Sequence, residues 1–394
     1  MTRPVPPPGD GTVTPRAARP GRARQSGRIG RSSSGPEAVE GPVDRRAGAC
    51  ATRTEHARAG QGQAEPGREA SPDGRGAPGL RHTAVLVRSP GEGADVAAAA
   101  VEEGLLAGDL TVLAGAPDRV DAVRRALGGR VGAVEDDPRV VLLGARAPDA
   151  TAAVRQLVER AAGSGSGRLR VIAQPDFQAD PRRWREIRRY EAASNELCAG
   201  APVTALCVYD EETLPADAVD TARLTHPELV SGGVREASPR YLPPAACLRG
   251  LAGVREPVEA AAPVWAVDGV PTLPALRSGL RRALAAVVPD PDLLADLHLA
   301  VSEVAANAFR HGRPPVSARV WADGSAVVCR VTDSGAGFDD PFAGFLPAHG
   351  DDLGAGGMGL WLARKLWDSV DLVPGPAGGF TVRLATTLPR PGGA

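Results

Sequence analysis

From Arg81 onward, short apolar runs alternate with stretches whose apolar side chains recur every three to four positions. The runs Arg81–Val87, Leu110–Ala114, Val140–Leu143, Leu169–Ala173 and Val203–Tyr209 predict strands, the unbroken ones of the kind buried on both faces of a parallel sheet. Between them, Asp95–Leu106, Asp118–Leu127, Ala150–Ala162 and Trp184–Leu197 follow the 3.6-residue period and predict helices. This alternation predicts a three-layer α/β domain over residues 81–250. Pro257, Pro263 and Pro271 then mark 251–272 as a linker with one strand, Val264–Val267.

The rhythm changes again over 273–390. Leu273–Val288 is an amphipathic helix. Asp290-Pro291-Asp292 opens another, with a cap and a proline in its first turn, and Leu293, Leu297, Ala300, Val301, Val304 and Ala308 as its buried stripe. Val316–Trp321 and Ala326–Thr332 alternate around Ala322-Asp323-Gly324-Ser325, a hairpin signal. A helix over Leu360–Trp367 and strands over Asp368–Val373 and Phe380–Thr386 follow. The expected fold is α/β and α+β: a three-layer domain, then a two-layer α/β sandwich.

Residues 1–80 lack such a pattern. They hold 13 Arg against 8 Asp plus Glu, with Pro, Gly and Ser throughout. Too little apolar surface is available to offset ordering entropy, so a disordered tail is expected. No aromatic or helical pattern accompanies the arginines, which argues against a nucleic-acid arm. Whether these residues belong to the natural protein stays open.

Composition narrows the class. The chain has 394 residues and a net charge of −1, so no global pull toward nucleic acid or anionic membrane is implied. Cys50, Cys198, Cys207, Cys247 and Cys329 are scattered without a CxxC pair, which fits a reducing cytoplasm. No apolar run reaches the roughly 18 residues of a membrane span, and no signal core follows the N-terminus.

The chemistry-bearing residues fall into two groups. In the later one, Glu303 and Asn307 are one helical turn apart and project together. A carboxylate beside an amide can hold Mg²⁺ and orient a hydroxyl or water, or can form a solvated polar edge. Asp333 ends a strand and is followed by Gly335 and Gly337, which let the backbone approach a flat ligand. Residues 339–355 suit a lid, and Gly356-Gly357-Met358-Gly359 opens a helix whose free N–H groups can bind phosphate. Helix pair, strand-end carboxylate and glycine-opened helix in this order suit a nucleotide site.

In the earlier group, Asp176, Tyr209, Asp210 and His226 fall at the carboxyl ends of predicted strands, where ligands sit in α/β sheets, or on neighbouring loops. Gly115-Ala116-Pro117 follows a strand but lacks the GxxxxGK[ST] pattern, so nucleotide binding is not assigned there. Glu191 and Asn195 share a helix face and either line a pocket or bond a neighbouring loop. His82, Cys207 and His226 make either a soft metal set or a core thiol with loop histidines.

The segment 82–248 resembles the MEDS sensory domain. The resemblance rests on His82, Gly104…Gly108-Asp109, Tyr190-Glu191…Asn195, Leu206-Cys207-Val208-Tyr209-Asp210 and Thr225-His226-Pro227. It implies a degenerate RecA-like fold and a sensory role with no agreed ligand. A sensory pocket would draw on His82, Glu191, Asn195, Cys207, Tyr209, Asp210 and His226.

Residues 273–388 resemble the GHKL ATPases, and within them the anti-sigma factor serine kinases. The resemblance implies ATP and Mg²⁺ as cofactors. Glu303 would be the general base, Asn307 the Mg²⁺ ligand and Asp333 the adenine partner. Gly335, Gly337, Gly357 and Gly359 would shape the pocket. Arg310 and His311 are placed either near phosphates or at the surface. Met358 departs from the Arg that many such kinases carry between the glycines. The implied partners are a sigma factor and an anti-anti-sigma protein of the STAS type, without direct nucleic-acid or membrane contact and with a homodimer left open. The expected function is a cytoplasmic ATP-binding anti-sigma regulator, a serine/threonine kinase under sensory control. The alternatives are a non-catalytic ATP-gated switch and a sensor histidine kinase, though Leu273–Val288 carries no phosphoacceptor histidine.

Overall fold

The first sheet grows from the apolar runs. Its strands are β1 (Arg81–Val87), β2 (Leu110–Ala114), β3 (Glu135–Asp136), β4 (Leu169–Ala173), β5 (Val203–Asp210), β6 (Glu228–Ser231) and β7 (Val234–Ala237), in the order β3-β2-β4-β5-β1-β6-β7. All neighbours are parallel except β6 and β7, which form a hairpin. Helices α1 (Pro90–Ala107) and α2 (Pro117–Leu127) cover one face, packing on Leu113 and Ile172. Helices α3 (Ala147–Ala161), α4 (Pro181–Leu197) and α5 (Ala216–Thr225) cover the other, over Ala84, Val112, Val171 and Cys207. The computed structural model describes residues 79–128, 134–177, 180–337, 339–347, 358–375 and 378–389. The expectation of a disordered tail, Cys50, Gly357 and part of the expected lid lie outside them.

One expected strand is absent. Val140–Leu143 is not in the sheet; Pro138–Val141 forms a 3₁₀ turn instead. Pro138 cannot donate to a ladder, Asp137 Oδ1 caps the Arg139 N–H at 3.1 Å, and Leu142 takes a left-handed φ of 61°. The apolar run is buried beneath α3, and the short β3 takes the edge of the sheet. Helix α1 also starts earlier than its apolar period suggests. Ser89 caps it and Pro90 occupies its first turn, while its first three residues are exposed and leave no hydrophobic signal.

The second sheet contains β8 (Trp265–Val270), β9 (Val316–Ala322), β10 (Ala326–Asp333), β11 (Ser369–Pro374) and β12 (Phe380–Thr387). Its order is β11-β12-β10-β9-β8, with every pair antiparallel. After α6 (Pro244–Ala252) come α7 (Leu273–Ala285), α8 (Pro291–Arg310) and α9 (Met358–Leu366). These last three pack on one face of the sheet against Val327, Cys329, Val331, Val382 and Leu384. The opposite face carries Trp321, Val328 and Ala385, packed on Val258, with the charged side chains of Arg330, Asp371 and Arg383 among them.

That charged face is covered. Both sheets belong to one compact unit. Asp371 accepts from Arg189 of α4 and, at 2.6 and 3.0 Å, from Arg383. Arg383 also donates to the carbonyls of Ala252, at 3.2 Å, and Val254. Glu256 holds Arg182 at 2.8 Å and also pairs with Arg185. Ala192 and Ala193 of α4 and Cys247, Leu248 and Leu251 of α6 enclose Phe345. Arg364 of α9 lies 4.4 Å over the Phe345 ring and donates to Ala343 O at 2.8 Å. Burial and the nearby Arg189 push its pKa down to about 10, so it stays cationic at neutral pH. The segment that follows Asp333 is thus anchored on the first domain.

Candidate functional site

Two constellations stand out, one in each sheet domain. In the second domain, Glu303 and Asn307 sit one turn apart on α8, both half-buried. A methyl group added at Gly359, in the first turn of α9, would lie 3.0 Å from Asn307 Nδ2 and 3.3 Å from Glu303 Cβ. The start of α9 therefore faces the pair. Glu303 Oε1 is 3.5 Å from Arg277 Nη2, an open ion pair. The Asn307 amide has no hydrogen-bond partner among the described residues, so its oxygen is available to a ligand.

Asp333 is buried at the end of β10. Its Oδ1 accepts from the N–H of Gly335 at 2.7 Å and of Arg313 at 3.3 Å. Both bonds fall on one oxygen, which fixes the carboxylate and leaves the other oxygen for a donor such as an amino group. Gly312 follows α8, and any side chain there would collide with the Asp333 carboxyl. Gly337 has φ 70°, and a Cβ there would strike the Phe380 ring. Arg310 and His311 are exposed at the end of α8. The donor types fit an ATP–Mg²⁺ complex: a buried carboxylate fixed through one oxygen, and a carboxylate and an amide beside a glycine in the first turn of a helix. Asn307 and Glu303 would lie nearest the cation, which would supply charge neutralisation on the phosphates.

Sequence reasoning missed Gly312 and Arg277. A glycine just past a helix reads as a stop signal, and only packing reveals the carboxyl behind it. Arg277 reads as one arginine among several on an amphipathic helix.

In the first domain the structure gathers residues far apart in sequence. His82 (β1), Cys207 (β5), Glu191 (α4) and His226 (just after α5) are all buried. Their ligand atoms lie within 4.8 Å of one another. His82 Nε2 is 3.1 Å from Glu191 Oε2 and 3.4 Å from Cys207 Sγ; His226 Nε2 is 3.8 Å from Glu191 Oε2. The His82 and His226 rings are 4.0 Å apart. Burial, with Glu191 second, holds the Cys207 thiol well above its usual pKa, and burial with His82 beside it holds His226 well below its own.

The other expected pocket residues divide. Asn195 joins the cluster from behind: its Oδ1 meets His82 Nδ1 at 3.0 Å, while its Nδ2 donates to Thr225 O at 2.7 Å and Glu191 O at 3.2 Å. Tyr209 stacks edge-on to His226, centroids 5.6 Å apart. Asp210 turns away to cap the N–H groups of Glu212 and Thr213 at 3.1 and 3.3 Å. The cluster does not sit beyond the carboxyl ends of the strands, where the sequence pattern places a ligand. His82 is the second residue of β1, and the group lies between the sheet face and α4. The reason is strand alternation: His82, Ala84 and Leu86 share a face with Cys207 and Tyr209 of the adjacent strand.

Comparison with known families agrees with these two architectures. Residues 81–227 match the MEDS family, the methanogen/methylotroph, DcmR sensory domain. Residues 270–386 match the histidine kinase-like ATPase domain family. The chain thus joins a MEDS sensory domain to a histidine kinase-like ATPase domain, a type that binds ATP. No curated protein matches it. No helix among the described residues is long and apolar enough to cross a membrane.

Proposed function

We propose that the chain is an ATP-binding anti-sigma regulator that phosphorylates a serine or threonine of an anti-anti-sigma protein of the STAS type, under control of its sensory domain. The observation that carries this reading is the placement of Glu303 and Asn307 beside Gly359, with Asp333 against Gly312 just past the end of the same helix. Glu303 would take the proton of the acceptor hydroxyl, Asn307 would ligate Mg²⁺ and Asp333 would hold the adenine amino group. Gly335, Gly337, Gly357 and Gly359 would let nucleotide and backbone approach closely. Partner proteins would be met in the cytoplasm, a sigma factor being sequestered in one nucleotide state. The sensory domain would act through α4, which meets both the buried cluster and Phe345.

A second reading, an ATP-gated binding switch without transfer, draws support from Arg277. Its guanidinium beside Glu303 Oε1 competes for the carboxylate that a base would need free. A sensor histidine kinase finds less support: α7 has no histidine, and His298 on α8 is held by Arg277 O at 3.1 Å and Ser302 Oγ at 3.3 Å. The test is incubation with γ-labelled ATP and candidate STAS-type proteins from the same cell. Phosphoserine or phosphothreonine on the partner, lost in Glu303→Gln, supports the kinase. ATP binding without any transfer supports the switch, and acid-labile label on the chain itself overturns both.

A further inference from the structure

We propose that His82, Glu191, Cys207 and His226 form a binding site for one divalent transition-metal cation of the zinc class. Nothing in this proposal depends on the kinase reading.

The imidazole lone pairs point into the cluster. The Nδ1 of His226 is 3.1 Å from Ala222 O, which can only accept, so Nδ1 carries the hydrogen. Its Nε2 lone pair therefore faces the cluster. That atom is wholly buried and has no hydrogen-bond partner among the described residues. A buried polar atom without a partner costs about 1–3 kcal/mol, and a cation at the cluster centre would satisfy it.

His82 is oriented in the same way. Asn195 Nδ2 is committed to two carbonyls, so Asn195 presents its oxygen to His82 Nδ1, which must carry a hydrogen. A neutral His82 then points its Nε2 lone pair at Glu191 Oε2, 3.1 Å away. Two acceptors at that distance repel unless a cation or a proton lies between them. A proton would satisfy His82 and Glu191 but would leave His226 Nε2 orphaned; a metal serves all four groups. Each histidine thus has the outer hydrogen bond, to an amide or backbone oxygen, typical of imidazole ligands.

Distance and charge agree. A tetrahedral cation with bonds of about 2.0–2.3 Å spaces its ligands roughly 3.3–3.6 Å apart. The observed 3.1, 3.4 and 3.8 Å bracket that range. One thiolate, one carboxylate and two neutral imidazoles neutralise a dication, so no net charge is left in the interior. On binding, the Cys207 S–H bond breaks, a sulfur–metal bond forms, and the proton leaves to solvent. A sulfur with two nitrogens and one oxygen suits zinc, or cobalt as its probe, and disfavours Mg²⁺ and Ca²⁺. Because the ligands come from two strands, α4 and the end of α5, a bound cation would pin α4 to the sheet.

The test uses the full chain without a histidine tag. Protein treated with chelator and then exposed to Zn²⁺ or Co²⁺ should retain one cation per chain after desalting. The Co²⁺ form should show thiolate-to-cobalt charge transfer and tetrahedral ligand-field bands. Cys207→Ser should abolish the charge transfer, whereas Cys247→Ala and Cys329→Ala should keep it. Asn195→Ala, which touches no cation, should weaken retention by roughly 10–100-fold. Should Cys207→Ser fail to fold, Glu191→Gln keeps the side-chain shape and should lower affinity with the thiolate band still present. A folded wild-type chain that retains no cation overturns the proposal, as does a cobalt spectrum that Cys207→Ser leaves unchanged.

Discussion

Glu191 and Glu303 each stand one helical turn before an asparagine, yet the two pairs do opposite things. Glu191 is buried between sheet and helix, and Asn195 has every polar atom committed to a neighbour. Glu303 is half-buried beside the equally half-buried Arg277, and Asn307 is uncommitted among the described residues. The first pair is closed in by sheet and helix; the second is half-buried at the edge of its helix, beside the start of α9. The same local pair thus ends up sealed in the interior or left at a half-open edge, according to what covers the helix.

The sharpest way to test this contrast is to change the two glutamates separately. Glu303→Gln should lower phosphoryl transfer to a partner by about 10²–10⁴-fold, the range for loss of a general base. Its thermal unfolding should stay within about 0.5 kcal/mol of wild type, as for a surface change. Full transfer in this variant would remove Glu303 from the reaction. Next in size is the junction between the domains. Asp371→Ala leaves Arg189 and Arg383 buried without their shared carboxylate, and should cost about 3–5 kcal/mol in urea unfolding. A cost below about 1 kcal/mol would mean that water reaches this face and the domains part easily.

Smaller effects separate the sites further. Asp333→Asn should weaken ATP binding roughly 10–100-fold by calorimetry, since a hydrogen bond to a charged group is worth about 1.5–3 kcal/mol; unchanged affinity would place adenine elsewhere. Asn195→Ala strands the buried Thr225 carbonyl and should cost about 1–3 kcal/mol of stability. The matching Asn307→Ala should be neutral to stability within about 0.5 kcal/mol while lowering Mg²⁺-dependent ATP affinity. Equal stability losses in the two variants would erase the contrast.

The smallest effect concerns pH. Hydrogen bonds from Arg240, then Arg223, hold the Asp220 carboxyl below its ordinary 3.8. Its contribution is therefore present above 3.8 and is lost as pH falls through the lower folded-state value. Asp220→Asn should flatten the acid dependence of unfolding in that window only; an unchanged acid profile would show the clamp to be idle.

Much of this was legible beforehand. The alternation of apolar runs and helical periods marked both domains, because burial on one face imposes a period of 2 or 3.6. The pair Glu303 and Asn307, the strand-end Asp333 and the glycines were legible because each is a local requirement. Val140–Leu143 misled: a buried run of four apolar residues is compatible with a strand or a turn, and Pro138 with its Asp137 cap decided for the turn. The position of the His82 cluster was not legible, because its members are separated by up to 144 residues and meet only through strand order.

The sequence by itself therefore determined the two layer patterns, the family of each domain and the inventory of reactive side chains, since all of these follow from local periodicity and short motifs. Tertiary structure alone decided what covers each face. Alternation places Asp371 and Arg383 opposite the helices of the second sheet, but whether that face meets water or another domain depends on long-range packing. The same packing put Glu191 in the interior and left Glu303 at an edge, and burial, not residue type, sets what a carboxylate can bind.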